Sequence, residues 1–180
     1  VGFLPGGLAV ASIFSCAIFA AVSGSSVATA ATIGMIAIPE MERRGYAKPL
    51  IIGAIAAGGT LGILIPPSVP MIIYGVMTET SVGHLYMAGI VPGALLALLF
   101  AGWAIGYAAF WPESAPRIAS DSGTFREKLK SFGEVAPVAI LIFTVLGSMY
   151  IGIVTPTEAA ALGTVVSLVL ARWYGNLSRA

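Results

Sequence analysis

The chain has 180 residues, of which 58% are hydrophobic and 9% charged, and a formal net charge of +1. Soluble domains carry about 25% charged residues, so this composition belongs to an integral membrane chain. So small a net charge, with no run alternating basic and aromatic residues, excludes a nucleic-acid binder. The single Cys16 lies in an apolar run and excludes a disulfide framework and a thiolate metal site.

The chain opens at Val1 in mid-pattern, with no charged leader or cleavage site, as a piece of a longer polypeptide would. All nine Lys and Arg residues fall into three groups: Arg43, Arg44 and Lys48; Arg117, Arg126, Lys128 and Lys130; Arg172 and Arg179. The connections 78–86 and 152–157 hold none. The positive-inside rule then predicts cytoplasmic loops at 40–48 and 112–133 and a cytoplasmic C-terminal end, with 78–86 and 152–157 outside.

The first element is predicted over 7–39. An apolar arm from Leu8 to Val22 meets Ser23-Gly-Ser-Ser26, and a second arm follows from Val27 to Pro39. The second arm rises only about 20 Å, short of a core about 30 Å thick, which predicts a re-entrant hairpin with its tip near the midplane. Two short full spans satisfy the same loop charges. Ser25 or Ser26 is placed to cap the second arm, whose first N–H groups offer partial positive charge to an anion. The last carbonyls of the first arm offer the opposite sign. The plain alternative is that small residues here only let helices pack closely.

The second element is a helix predicted to break. Leu61-Gly-Ile-Leu-Ile-Pro-Pro-Ser-Val-Pro-Met-Ile-Ile-Tyr-Gly75 puts three prolines into an apolar run, and an interior proline costs about 3 kcal/mol. A broken membrane helix persists where its loose ends are buried in protein or line a polar cavity. Half-helices are expected over 49–65, loosened by Gly58, Gly59 and Gly62, and over 69–76. Between them the carbonyls of Gly62 to Ile65 lose their partners, and Ser68 is expected to cap the second half. Free carbonyls and a hydroxyl suit Na⁺, a hard cation that prefers oxygen. A proline kink used only for packing is the alternative.

An ordinary span is predicted from Leu85 to Phe110, with Trp103, Tyr107 and Trp111 as an aromatic belt at the cytoplasmic end. Thr124-Phe-Arg-Glu127 has capping-box spacing and predicts a short amphipathic helix at the interface. Two further spans follow, 134–150 and 157–173. Thr155-Pro-Thr-Glu158 between them is a capping box with proline at the first helical position, which predicts a helix start there. Glu158 is read as part of that cap, with a gating or proton-linked role as the alternative.

Phe19-Ala-Ala-Val-Ser-Gly-Ser-Ser-Val-Ala-Thr29 followed by Pro39-Glu-Met-Glu-Arg-Arg-Gly-Tyr46 resembles the first hairpin of the large, DctM-type membrane subunit of tripartite ATP-independent periplasmic (TRAP) transporters. Gly62-Ile-Leu-Ile-Pro-Pro-Ser68 with Tyr74-Gly75, and Gly152-Ile-Val-Thr-Pro-Thr-Glu-Ala-Ala-Ala161, are similar to its next two signatures, in the same order. The resemblance implies an all-α polytopic fold of the inverted-repeat, elevator type in the bacterial inner membrane. Residues 1–77 are then part of the transport domain (hairpin 7–39, broken helix 49–76), followed by a transmembrane helix in 78–111 and a cytoplasmic loop with an amphipathic helix in 112–133. Two transmembrane helices occupy 134–174, and 175–180 form a cytoplasmic end.

It further implies Na⁺-driven uptake of an organic acid such as a dicarboxylate or sialic acid. A periplasmic substrate-binding protein and a small membrane subunit are the implied partners, and no cofactor is implied beyond Na⁺ as coupling ion. By the same resemblance Ser23, Gly24, Ser26, Gly62, Ile65, Pro66 and Ser68 shape one Na⁺ site. Ser25, Ser26, Thr29, Pro67 and Ser68 form half of a carboxylate site, and the matching second hairpin and second break belong to a part of the family's chain beyond this one.

Three other readings share parts of the pattern. A carrier of another hairpin-containing family would work without a binding protein. An intramembrane hydrolase would need a nucleophile and base or a metal set, and His84, the single histidine, falls in an outside loop. A structural subunit would use both breaks only for packing.

Overall fold

A computed structural model describes residues 5–116 and 125–174. Every regular element among them is helical: α1 (Gly7–Ser23), α2 (Ser26–Arg43), α3 (Lys48–Leu64), α4 (Val69–Met77), α5 (Val82–Phe110), a 3₁₀ turn (Pro112–Ser114), α6 (Phe125–Tyr150) and α7 (Pro156–Tyr174). Two stretches among the described residues, Lys48–Met77 and Val82–Phe110, are long and apolar enough to cross a membrane. The chain divides into two compact units, 1–121 and 122–180.

In the first unit, α3 is the helix on which the others pack. Its glycines do not loosen it, as expected from sequence, because the helix runs unbroken to Leu64. They are points of close approach instead. A Cβ on Gly58 would lie 2.9 Å from Cys16 Sγ, and one on Gly59 would lie 2.7 Å from the Ala30 Cβ. These contacts set α1 parallel and α2 antiparallel to α3. The α5 helix closes the unit with a stripe of Tyr86, Gly89, Gly93, Ala97, Ala101, Ala104 and Ala108, all buried. Residues three and four apart share a helix face, and small ones there let backbones approach where lipid removes the hydrophobic drive for association.

α2 continues through Pro39 to Arg43, beyond the arm read from sequence. At about 27 Å it is longer than that reading required. It ends in a Schellman motif: Gly45, at φ +75°, donates to Glu42 O (3.0 Å) and Tyr46 donates to Met41 O (3.1 Å). Glu40 and Arg44 form a salt bridge across the last turn.

Tyr46 then folds under the hairpin, where its hydroxyl accepts the Leu8 N–H at 3.3 Å. That donor belongs to the first turn of α1 and has no intrahelical acceptor. Tyr46→Phe is expected to lower stability by about 1 kcal/mol, the net value of one such bond, read as a fall in the melting temperature of the permease in detergent. An unchanged transition would show that water replaces the hydroxyl.

In the second unit, α6 is one helix from Phe125 through Gly133 and Pro137 to Tyr150. A separate amphipathic helix ending near 132 is therefore not observed. Gly133 stays helical, and Pro137 removes only its own N–H from the ladder. The expected cap residue Thr124 lies outside the described residues. α6 ends in a second Schellman motif, with Gly152 at φ +79°, Gly152 N–H on Met149 O (3.0 Å) and Ile153 N–H on Ser148 O (3.1 Å).

The α7 start is the capping box read from sequence. Glu158 Oε2 accepts both the N–H (2.7 Å) and the hydroxyl (2.9 Å) of Thr155, whose Oγ1 accepts the Glu158 N–H at 3.4 Å. Glu158→Ala is expected to speed amide hydrogen exchange at Thr155 and the first turn of α7, with Glu158→Gln restoring most of the protection. Loss of uptake in Glu158→Gln with normal exchange would instead mark the carboxylate as a gate.

Candidate functional site

The two chain interruptions of the first unit are packed on one another. Gly24 ends α1 at φ +61°, donating to Ala20 O at 2.9 Å, and its own carbonyl accepts the N–H of Val69, the first residue of α4, at 3.2 Å. Gly62 meets the other side of the tip. A Cβ there would stand 2.7 Å from Ser25 C and 2.8 Å from both Ser25 O and Ser26 N. The hairpin tip therefore touches the last turn of α3 on one side and the start of α4 on the other.

Inside the tip the hydroxyls form a closed set. Thr29 is fully buried and donates to Ser25 O at 2.7 Å. With that proton committed, the 2.9 Å contact between Ser23 Oγ and Thr29 Oγ1 has Ser23 as donor. Ser25 caps α2, its Oγ accepting the Ala28 N–H at 3.4 Å, as the sequence predicted for Ser25 or Ser26. Thr29 thus supports the tip from behind, and the N–H groups of Ser26 and Val27 at the first turn of α2 have no helical acceptor.

The break differs from its sequence reading at Ser68. Ser68 stands at the N-cap position of α4, but its side chain makes no cap hydrogen bond. The hydroxyl is turned back and donates to Ile63 O. The reason lies in the prolines: the helical partners of the Gly62 and Ile63 carbonyls would be the N–H groups of Pro66 and Pro67, which do not exist. Ser68 satisfies one of these carbonyls, and Gly24 of the hairpin supplies the cap that Ser68 does not. The Pro66–Pro67 peptide is cis.

α5, read from sequence as an ordinary span, reaches the same place. A Cβ on Gly89 would lie 2.9 Å from Leu64 O, and one on Gly93 would lie 3.0 Å from Ile65 Cγ1. The signal was present as the small-residue spacing 89, 93, 97, 101. Ser23, Gly24, Ser25, Ser26 and Thr29 are thus brought together with Gly62, Pro67 and Ser68, and Ile65 and Pro66 complete the break. Thr155 and Glu158 belong to the second unit and form the cap described above.

Long apolar helices and two breaks held against each other through backbone groups are the make-up of a membrane transport protein. The particular kind follows from comparison. Residues 1–180 match the family model described as "Tripartite ATP-independent periplasmic transporter, DctM component", and the chain belongs to that family of transporters rather than to a family of enzymes.

Relatives include the "C4-dicarboxylate TRAP transporter large permease protein DctM" of Pseudomonas aeruginosa, 44% identical over 171 residues, covering 95% of this chain and 39% of the relative. The "Isethionate TRAP transporter permease protein DctMQ" of Oleidesulfovibrio alaskensis is 42% identical over 175 residues, covering 94% and 26%. The "Ectoine/5-hydroxyectoine TRAP transporter large permease protein UehC" of Ruegeria pomeroyi is 39% identical over 180 residues, covering 94% and 39%. The chain thus spans about two fifths, or less, of the length of these relatives.

Proposed function

We propose that the chain is part of the large permease subunit of a Na⁺-coupled TRAP transporter, importing an organic acid anion delivered by a periplasmic binding protein. The observation that carries this reading is the docking of the hairpin tip on the proline break, joined by the Val69–Gly24 hydrogen bond. Neither segment contains an Asp, Glu, Lys or Arg. Charge must then be held by dipoles, carbonyls and hydroxyls, as in other carriers built on discontinuous helices. Ser23, Gly24 and Ser26, with Gly62, Ile65, Pro66 and Ser68, are assigned to Na⁺. The first turn of α2 at Ser25 and Ser26, facing Pro67 and Ser68, is assigned to half of the carboxylate site, with Thr29 supporting it.

Helix lengths support a re-entrant hairpin. The tip meets α3 at Gly62, about 21 Å along the axis from Lys48, and α4 adds about 13 Å beyond the break. Their sum matches a hydrocarbon core of about 30 Å, so a hairpin that stops at the break ends inside the bilayer. With the basic ends of α2 and α3 cytoplasmic, each Na⁺ moving inward gains about 2.3 kcal/mol per 100 mV. That offsets the cost of accumulating an anion.

The substrates named for the relatives, C4-dicarboxylates, isethionate and ectoine, are small and carry an acidic group. An organic acid is the corresponding proposal here, handed over by a periplasmic binding protein. A small membrane subunit is the second partner proposed, in the bacterial inner membrane.

The test is the thermal stability of the complete permease in NaCl against KCl at equal ionic strength. A ligand at 100 times its Kd adds about 2.7 kcal/mol to the folded state. A Na⁺-specific rise that Ser26→Ala removes, with membrane insertion intact, is the expected result. An equal rise in the mutant would take the ion away from the tip.

A further inference from the structure

Away from the tip and the break, the first unit carries an apolar groove of about 570 Å³ between α3 and α5. Its α3 wall runs from Pro49 to Ala57 and its α5 wall from Leu96 to Tyr107. At 1.5 Å per residue these walls are about 12 and 16 Å long, the depth of one leaflet of a core about 30 Å thick. A second cavity, of about 410 Å³, shares Leu99, Trp103 and Tyr107 with the first. Two apolar troughs thus adjoin one ridge of α5.

One end of the groove differs chemically from the rest. The start of α3 and the end of α5 lie at one level, because the Ala47 N–H donates to Ser114 O at 2.9 Å. Lys48 is exposed there, directly before Pro49, and forms no salt bridge among the described residues. Arg44 in the same loop is held by Glu40. Tyr107 and Trp111, with ring centroids 5.0 Å apart, mark the same level, as aromatic side chains do at a membrane–water interface.

We propose that this groove holds an anionic diacyl phospholipid, one chain in each trough and its phosphate at Lys48. Basic pockets between helices on the cytoplasmic side bind such head groups. A partner helix crossing the bilayer fits less well, since it would need a groove about 30 Å long and a single trough. The proposal rests on α3 and α5 spanning the membrane, and is independent of Na⁺ coupling and of the substrate.

Gly53 provides the test, because it lines the groove and a Cβ there would meet nothing within 4 Å. Gly53→Leu fills the trough without touching backbone and replaces a poor helix former by a good one. The complete permease, stripped of lipid in detergent, is titrated with dioleoyl phosphatidylglycerol or dioleoyl phosphatidylcholine and read by native mass spectrometry.

The wild type is expected to retain one phosphatidylglycerol about five-fold more tightly than phosphatidylcholine, the factor that corresponds to about 1 kcal/mol for one lysine at an anionic lipid. Lys48→Ser should equalise the two lipids, and Gly53→Leu should lose both while its melting temperature holds. Wild-type retention in Gly53→Leu overturns the site. Equal wild-type affinity for both lipids overturns the head-group assignment. Release of the small membrane subunit by Gly53→Leu, with lipid retention unchanged, overturns the proposal in favour of a protein occupant.

Discussion

Gly62→Ala is expected to lower the stability of the permease by about 1–3 kcal/mol, the usual cost of overpacking a close contact. It should also weaken Na⁺-specific stabilisation by about ten-fold or more, since 1.4 kcal/mol is a factor of ten in affinity. The added methyl would meet Ser25 C, Ser25 O and Ser26 N, all within 2.8 Å. These are backbone atoms, so no rotamer change relieves the clash and the tip must move away from α3. Gly53→Ala is the matched control, with the same change in the same helix and open space around it. Thermal unfolding of both variants in NaCl and in KCl separates the two terms. If Gly62→Ala keeps the full Na⁺ response, the tip and the break do not share an ion.

Gly24→Ala is expected to cost more, about 2–5 kcal/mol, because two penalties add. A side chain at φ +61° carries roughly 1–2 kcal/mol of left-handed strain, and the new Cβ would stand 2.7 Å from Pro67 O, a further 1–3 kcal/mol or so of overpacking. Displacing the tip also stretches the bond from Val69 N–H to Gly24 O and leaves the α4 start without its cap. Gly24→Asn separates the two penalties, since asparagine tolerates the left-handed region but still collides with Pro67. Gly45, at φ +75° with only Pro116 Cγ at 3.5 Å, is the reference position, and Gly45→Asn should be nearly neutral. A Gly24→Asn variant as stable as the wild type would show that the tip does not press on the break.

Several elements were legible because their signals are local. Thr155-Pro-Thr-Glu158 names its own hydrogen bonds: a hydroxyl, a proline that needs no donor and a carboxylate three residues on form a capping box wherever they occur. Pro66-Pro67 likewise guarantees that two carbonyls of α3 lose their partners. Ser23-Gly-Ser-Ser26 signals a chain reversal with a cap, and Ser25 makes that cap.

The readings that failed share a cause as well. Gly58, Gly59 and Gly62 were expected to loosen α3, since glycine in isolation is a weak helix former. In the folded unit their missing side chains admit Cys16, Ala30 and Ser25. The extent of α2 past Pro39 and the continuity of α6 through Pro137 were misjudged in the same way, because a single lost hydrogen bond does not stop a helix whose remaining bonds stay intact.

By itself, then, the sequence determined that the chain is helical and apolar, where its helices break, and that both breaks lack charged side chains. These depend on composition, proline chemistry and capping, all set within a few residues. Only the tertiary structure decided who satisfies whom at the break. Ser68 turns back to Ile63 because Pro67 has no N–H to offer, and the α4 start takes its acceptor from Gly24, a residue 45 positions earlier. That pairing depends on close approach between helices. No local pattern encodes it, because the glycines that permit it act through atoms they do not have.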